Sequence, residues 1–87
     1  PVFLIENMTI QSLRTVGKEK THLQVTFQSE EQLGLPVTFK GIGFSLAYLA
    51  KDLFENDVVD VVFQLDVNEW GDKRELQMKV LDMKRHV

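Results

Sequence analysis

Apolar and polar residues alternate with a period of two over most of the chain, a spacing that predicts half-buried β-strands. In the clearest segment Leu23, Val25 and Phe27 would face a core while the residues between them face solvent. Five strands are predicted in this way, over residues 8–16, 21–27, 37–44, 58–70 and 74–85. The inward positions of the last two are predicted to be Val59, Val61, Phe63, Leu65 and Val67, and then Leu76, Met78 and Val80.

The period changes between the third and fourth strands. In "SLAYLAKDLFEND" the residues Leu46, Leu49 and Phe54 fall near helical spacing, and Ser45 has the chemistry of an N-cap. This segment is predicted to be one α-helix of about three turns. Its apolar side chains would close the bottom of whatever the strands form.

The predicted order is therefore β-β-β-α-β-β. Strands at regular spacing with one helix between strands 3 and 4 indicate an all-β fold, the OB-fold, which is a five-stranded Greek-key barrel. Gly41 and Gly43 in the third strand fit the bend that barrel closure needs. The 87 residues make one domain, and we expect a leader from a preceding domain at 1–7, the barrel at 8–85 and a tail at 86–87.

Composition narrows the function classes. Ten Lys and Arg against thirteen Asp and Glu give a net charge of −3, which argues against a strongly basic nucleic-acid binder but allows a local basic patch. Cysteine is absent, so disulfides and thiol chemistry are excluded, and we expect a cytoplasmic protein. No apolar run approaches the ~20 residues of a membrane span, and no catalytic constellation is present, so this fragment is expected not to be an enzyme.

Candidate chemistry lies in two predicted loops. In OB-folds the face of strands 2 and 3, together with the loops joining strands 1–2 and 4–5, binds oligonucleotides or oligosaccharides. Here those loops are "GKEK" at 17–20 and "WGDKR" at 70–74, and both carry cations. Trp70 would either stack on a base, which contributes ~1–3 kcal/mol, or cover the end of the barrel.

Three stretches carry a resemblance to a known family. The segments "PVFLIENMTIQSLRTVGKEKTHLQVTF", "KGIGF" and "VVDVVFQLDVNEWGDKRELQMKVLDMK" are similar to the OB-fold domain of the RecJ exonucleases. The resemblance implies a larger parent enzyme whose DHH and DHHA1 domains bind Mg or Mn and degrade single-stranded DNA from the 5′ end in recombination and repair. It implies no cofactor in this fragment, and as partners single-stranded DNA, the catalytic domains and other repair proteins.

The expected nucleic-acid contacts are the basic and aromatic positions of the two loops and of the strand face between them. They are Arg14, Lys18, Lys20, His22, Lys40, Trp70, Lys73 and Arg74. Two features depart from the family pattern: the connection at 28–35 is longer and more acidic, and Glu75 follows Arg74 directly. Each cation also has an ordinary interpretation as a solvated surface residue.

A rival hypothesis is an OB-fold that docks onto another protein or domain without binding DNA by itself. The net charge supports it, and the contact surface would be the acidic loop "SEEQ" at 29–32 or the patch formed by Asp52, Glu55 and Asp57. The acidic residues of the fourth strand and its turn, Asp60, Asp66, Glu69 and Asp72, are interpreted as structural or solubilising rather than as metal ligands.

Overall fold

The computed structural model describes residues 1–30 and 36–87. In it, four antiparallel strand pairings and one parallel pairing close the chain into a barrel. The side chains of Glu30, Pro36, Asn68 and Trp70 lie outside that description. The strands are β1 (Phe3–Val16), β2 (His22–Glu30), β3 (Pro36–Gly43), β4 (Val58–Trp70) and β5 (Lys73–Arg85). Their order around the barrel is β1-β2-β3-β5-β4, so the all-β, OB-fold prediction is confirmed.

The predicted alternation of buried and exposed residues accounts for most of the core. Strands β1, β2, β4 and β5 supply the buried residues Met8, Ile10, Leu23, Val25, Phe27, Val59, Val61, Phe63, Met78, Val80 and Met83, and the β3–β4 connection supplies Leu53. Phe39 of β3 is partly buried against them. Strand β1 begins at Phe3 rather than at residue 8, and its first residues pair with β4 from Phe3–Phe63 to Thr9–Val58. A register shift between Ile5 and Met8 interrupts this ladder. Most of the expected leader segment is thus strand.

The barrel closes where β3 meets β5. These two strands run parallel and pair only at Gly41–Met78 and Ile42–Lys79. A Cβ at Gly41 would lie 2.9 Å from the Cγ2 atom of Val80, a distance that real Cβ atoms essentially never show. Gly41 therefore permits the close approach of β3 to β5, whereas the register of β3 with β2 continues through both glycines without a bulge.

The predicted α-helix is wrong. The segment contains a single 3₁₀ turn, Ala47–Lys51, and Ser45 does not cap it, because its φ is +62° and no side chain caps the turn. Phe54 N–H, which a longer helix would use internally, donates instead to Asp57 Oδ2 at 2.9 Å. Asn56 N–H donates to the Ile10 carbonyl at 2.8 Å. These bonds to Asp57 and β1 replace the second and third helical turns.

Three residues of the closing hairpin that the alternation predicted to be inward are instead exposed, namely Leu65, Val67 and Leu76. Leu76 was predicted to be buried, but it is 68% exposed. Leu65 and Val67 share its face of the hairpin and are half exposed. On the side of the Gly41–Met78 pair that leads to the β4–β5 turn, the hairpin extends past its pairing with β3, so no strand among the described residues opposes this face.

Within the described ranges no helix reaches the length and hydropathy that crossing a bilayer requires.

Candidate nucleic-acid interface

The outward face of β1, β2, β3 and β5 forms one continuous surface, which we name the cationic wall. Its members alternate with the core residues of the same strands and are joined by the pairs Arg14–Gln24, Thr26–Lys40 and Ile42–Lys79. They are Ser12, Arg14, His22, Gln24, Thr26, Gln28, Thr38, Lys40, Ile42, Gln77 and Lys79. The wall thus carries polar side chains and three permanent cations.

Glu75 continues the outward row of β5 next to Gln77 and lines a cleft together with Lys40. Arg14, Lys40 and Lys79 nevertheless form no ion pair with a carboxylate in the described part of the chain. Arg14 Nε donates to Gln24 Oε1 at 2.7 Å, which holds the guanidinium against the strand surface and leaves its charge uncompensated. Three uncompensated cations on a protein of net charge −3 make this face a local positive surface.

Lys79 is the wall cation that the sequence analysis missed. It lies between the buried residues Met78 and Val80, and it pairs with Ile42 of β3 on one side and Gln64 of β4 on the other. The alternation of β5 did predict that it points outward. The alternation could not predict the parallel β3–β5 pairing, which brings Lys79 beside the face formed by β2 and β3.

The two loops do not come together. The turn at 17–21 lies at the end of β1 that pairs with the start of β2, at Val16–His22. The β4–β5 turn lies beyond the opposite end of β1, because β4 is antiparallel to β1 and runs past Phe3. The loop cations are therefore separated by the length of the wall, with Lys40 between them on β3.

At the 17–21 turn Lys18 and Lys20 are exposed, and Lys20 has a left-handed backbone with φ +56°. His22 is half-buried and holds this end together. Its Nδ1 accepts a hydrogen bond from Ser45 N–H at 2.9 Å, and its ring lies edge-to-face with Phe44 at a centroid distance of 5.3 Å. The His22 Nδ1 atom is thus engaged in holding the β3–β4 connection.

At the β4–β5 turn Lys73 is exposed and pairs with Trp70, whose side chain lies outside the described residues. Arg74 Nε forms an ion pair with Glu69 Oε1 at 3.0 Å, and both side chains are largely exposed. Arg74 is therefore partly neutralised by Glu69 across the hairpin, rather than by its neighbour Glu75. The acidic connection expected at 28–35 falls largely outside the described residues.

A cleft of about 660 Å³ lies next to the Gly41–Met78 pair, on the side where β3 and β5 are no longer paired. Its lining is mostly apolar, with one cation at its rim on β3. The lining residues are Ile5, Thr38, Phe39, Lys40, Phe63, Leu65, Glu75, Leu76 and Met78. Lys40 therefore belongs both to the cationic wall and to the edge of this cleft.

The opposite side of the barrel, formed by the start of β1, the start of β4 and the end of β5, carries carboxylates, and we name it the acidic side. Its carboxylates are Glu6, Asp57, Asp60 and Asp82. Arg85 lies 3.0 Å from Asp57 Oδ2, and His86 Nδ1 lies 2.7 Å from Asp60 Oδ1. Arg85 and His86 of this side are thus both in contact with carboxylates.

Two carboxyl groups of the acidic side have lowered pKa values. The hydrogen bond from Phe54 N–H, and then the Arg85 guanidinium, hold the pKa of Asp57 below its ordinary value. Partial burial acts to raise the pKa of Asp60, but the hydrogen bonds from His86 and from Asn7 N–H outweigh it and leave the pKa lowered. Both groups are therefore charged at neutral pH.

Ligand atoms of Glu6, Asp60 and His86 lie within 4.8 Å of one another, a grouping that the sequence did not predict because His86 was placed in a tail. Asp60 Oδ1 already accepts from Asn7 N–H at 3.2 Å and faces His86. His86 N–H donates to the Val58 carbonyl at 2.8 Å. These contacts explain the grouping as the means by which the end of β5 is held to β4 and β1.

A closed five-stranded barrel with the strand order β1-β2-β3-β5-β4 is an OB-fold. The chain belongs to the RecJ OB domain family, whose model matches residues 1–82. It is 24% identical over 82 residues to the single-stranded-DNA-specific exonuclease RecJ of Bacillus subtilis (strain 168). That match covers 94% of this chain and 10% of the relative, so the chain spans about a tenth of that protein's length.

Two solved structures share the fold. The small single-stranded DNA-binding protein from Streptomyces coelicolor superposes with a TM-score of 0.67 at 12% identity, covering 100% of this chain and 93% of that one. The SSB domain of a Synechococcus sp. protein superposes with a TM-score of 0.66 at 15% identity, covering 98% and 93%. At these identities the likeness concerns the fold.

Proposed function

We propose that this domain binds single-stranded DNA along the cationic wall. The observation that carries the proposal is the placement of Arg14, Lys40 and Lys79 on one face, where none of the three forms an ion pair among the described residues. A strand lying across β1, β2, β3 and β5 would bring phosphates to these cations and release their counterions. The names of the relative and of the two similar structures support the same ligand.

The wall suits a flexible single strand with little sequence preference. Charge contacts do not read base edges, and the Gln and Thr side chains between the cations can hydrogen-bond any phosphate or sugar. The spread of candidate cations from Lys18 and Lys20 at one end to Lys73 and Arg74 at the other supports an extended track rather than a compact pocket.

Family membership extends the proposal to a parent protein. We propose that the parent is a cytoplasmic 5′-to-3′ exonuclease of recombination and repair, in which DHH and DHHA1 domains hold Mg or Mn and hydrolyse the strand. This domain would contribute no catalytic group and would hold the strand for that site. Other repair proteins are proposed as further partners.

Anisotropy of a labelled single-stranded oligonucleotide, titrated with the domain at low salt and at about 200 mM salt, tests the ligand. Binding that weakens steeply with salt, with a blunt duplex of equal length binding less tightly, is the expected result. No binding at low salt would overturn the proposal for the isolated domain.

A second candidate function is docking onto another domain. The exposed apolar face of the β4–β5 hairpin, formed by Leu65, Val67 and Leu76 beside the cleft, favours it, because monomeric proteins rarely leave such a face uncovered. Substituting Leu76→Ser tests it: a docking role predicts weakened association with the catalytic domains and unchanged oligonucleotide affinity.

A further inference from the structure

Phe44 continues the outward row of β3. Thr38, Lys40 and Ile42 alternate with the inward residues Phe39, Gly41 and Gly43, so the next outward position is Phe44. The pair Leu23–Gly43 places His22 and Phe44 at the following register position, and their rings are in contact there. Phe44 thus stands at the end of the cationic wall next to the 17–21 turn.

The Phe44 ring is both exposed and held in place. It is 55% exposed, and its edge-to-face contact with His22 has an interplanar angle of 77°. His22 is fixed in turn by the hydrogen bond from Ser45 N–H and by the close backbone of Gly17, where a Cβ would lie 2.9 Å from His22 Cδ2. An ordered ring with a free face loses little conformational entropy when another flat group stacks on it.

The position also suits a strand on the wall. Lys40 and Phe44 are four residues apart on one face of β3, a separation of about 13 Å at ~3.3 Å per residue. Lys18 and Lys20 lie in the turn that precedes His22. A base stacked on Phe44 would therefore have phosphate-binding cations on both sides of it.

We propose that Phe44 is a base-stacking platform for single-stranded DNA and that His22 is its positioning residue. The inference rests on the proposed function and deepens it. It supplies, from a described side chain, the aromatic partner that the cationic wall otherwise lacks. It also gives a reason for preferring a single strand, since bases in a duplex are already stacked and paired.

The test compares Phe44→Leu with Phe54→Leu in the same domain. Phe54 is a matched control, because it lies in the same β3–β4 connection and is 61% exposed, but its backbone bonds to Asp57 of the acidic side. Stacking contributes ~1–3 kcal/mol per base, so Phe44→Leu is expected to weaken oligonucleotide binding about 5- to 150-fold. Phe54→Leu should change it less than about twofold.

An oligonucleotide of equal length that carries abasic sites throughout separates stacking from charge. The Phe44→Leu and Phe54→Leu domains should bind this abasic oligonucleotide with the same affinity as the unsubstituted domain. Equal affinities of the Phe44→Leu domain and the unsubstituted domain for the normal oligonucleotide would overturn the stacking proposal while leaving the proposed function standing. A domain that binds neither oligonucleotide at low salt would overturn both.

Substitutions of His22 test its positioning role. His22→Leu removes the acceptor for Ser45 N–H, whereas His22→Asn keeps an oxygen near the Nδ1 position. In a double-mutant cycle we expect Phe44→Leu to weaken oligonucleotide binding less when His22→Leu is already present. With His22→Asn in place of His22→Leu, Phe44→Leu should again cause most of its full loss of affinity. Additive effects of His22→Leu and Phe44→Leu would contradict the positioning role.

Discussion

The cationic wall and the acidic side contain the same kinds of charged group but arrange them differently. On the acidic side Asp57 lies against Arg85 and Asp60 against His86. On the cationic wall Arg14, Lys40 and Lys79 form no ion pair in the described chain. Paired charges hold local structure together, whereas unpaired cations of one sign leave a potential that an anionic ligand can meet. The difference shows why a net charge of −3 is a poor guide to what this domain binds.

The largest expected effect of a single change lies at the β3–β5 seam, where the cationic wall and the barrel close. Gly41→Ala would place a Cβ 2.9 Å from Val80 Cγ2, on a β-branched side chain that is buried and cannot rotate away freely. Overpacking of this kind costs about 1–3 kcal/mol, which urea denaturation would measure as a lowered midpoint. Val80→Ala in the same chain makes room, so the double variant should be more stable than the sum of the two single effects. Strict additivity would mean that the seam is not limited by this contact.

The contrast in charge pairing predicts a second, slightly smaller effect. Replacing Lys40 and Lys79 together by Gln should weaken binding of a single-stranded oligonucleotide about tenfold at low salt. The slope of log affinity against log salt should become shallower by about 1.4, since each phosphate contact on a single strand contributes about 0.7. Lys51 and Lys84, both exposed and off the wall, form the matched control pair with the same change in net charge. Equal losses from the two pairs would mean that overall charge, not the wall, governs binding.

Much of the fold could be predicted from the sequence because apolar and polar residues alternate within each strand, and this alternation shows which residues face the core. The alternation through Leu23, Val25 and Phe27 needs no knowledge of the partner strands, and these residues are buried as predicted. The helix prediction was wrong because the decisive contacts are made by distant or competing groups, namely the Ile10 carbonyl and the Asp57 carboxylate. Helical spacing of Leu46 and Leu49 could not reveal them.

The candidate site was harder to predict for a related reason. A loop cation can be recognised in the sequence, but the absence of a neutralising carboxylate depends on which strands pair. Lys79 belongs to the wall only because β5 runs parallel to β3, and Arg74 is paired only because the hairpin register places it opposite Glu69. The eight predicted contact residues remain predictions: Arg14, Lys18, Lys20, His22, Lys40, Trp70, Lys73 and Arg74.

The carboxylates of the acidic side lead us to expect that the stability of the domain depends on pH in the acid range. The pKa values of Asp57 and Asp60 are lowered in the folded domain, so both carboxylates stabilise it above their unfolded pKa of about 3.9. That contribution is lost as the pH falls through the lower folded pKa values, that is, below about pH 4. Urea midpoints measured between pH 7 and pH 3 should therefore fall steeply only at the acid end. Asp57→Asn should lower the midpoint at pH 7 and flatten the acid-end fall, and an unchanged fall would show that Asp57 does not contribute to it.

The smallest expected effect concerns Arg74 at the β4–β5 turn, which forms an ion pair with Glu69. Glu69→Gln removes the carboxylate 3.0 Å from Arg74 Nε and leaves the guanidinium free to meet a phosphate. Exposed ion pairs contribute only about 0.2–1 kcal/mol, so stability should hardly change. If the strand reaches the β4–β5 turn, oligonucleotide affinity should rise about twofold at low salt, and the gain should vanish in Glu69→Gln combined with Arg74→Gln. A gain that survives the loss of Arg74 would come from the change in net charge alone, and the track would then end at Lys40 and Lys79 instead of continuing along the hairpin.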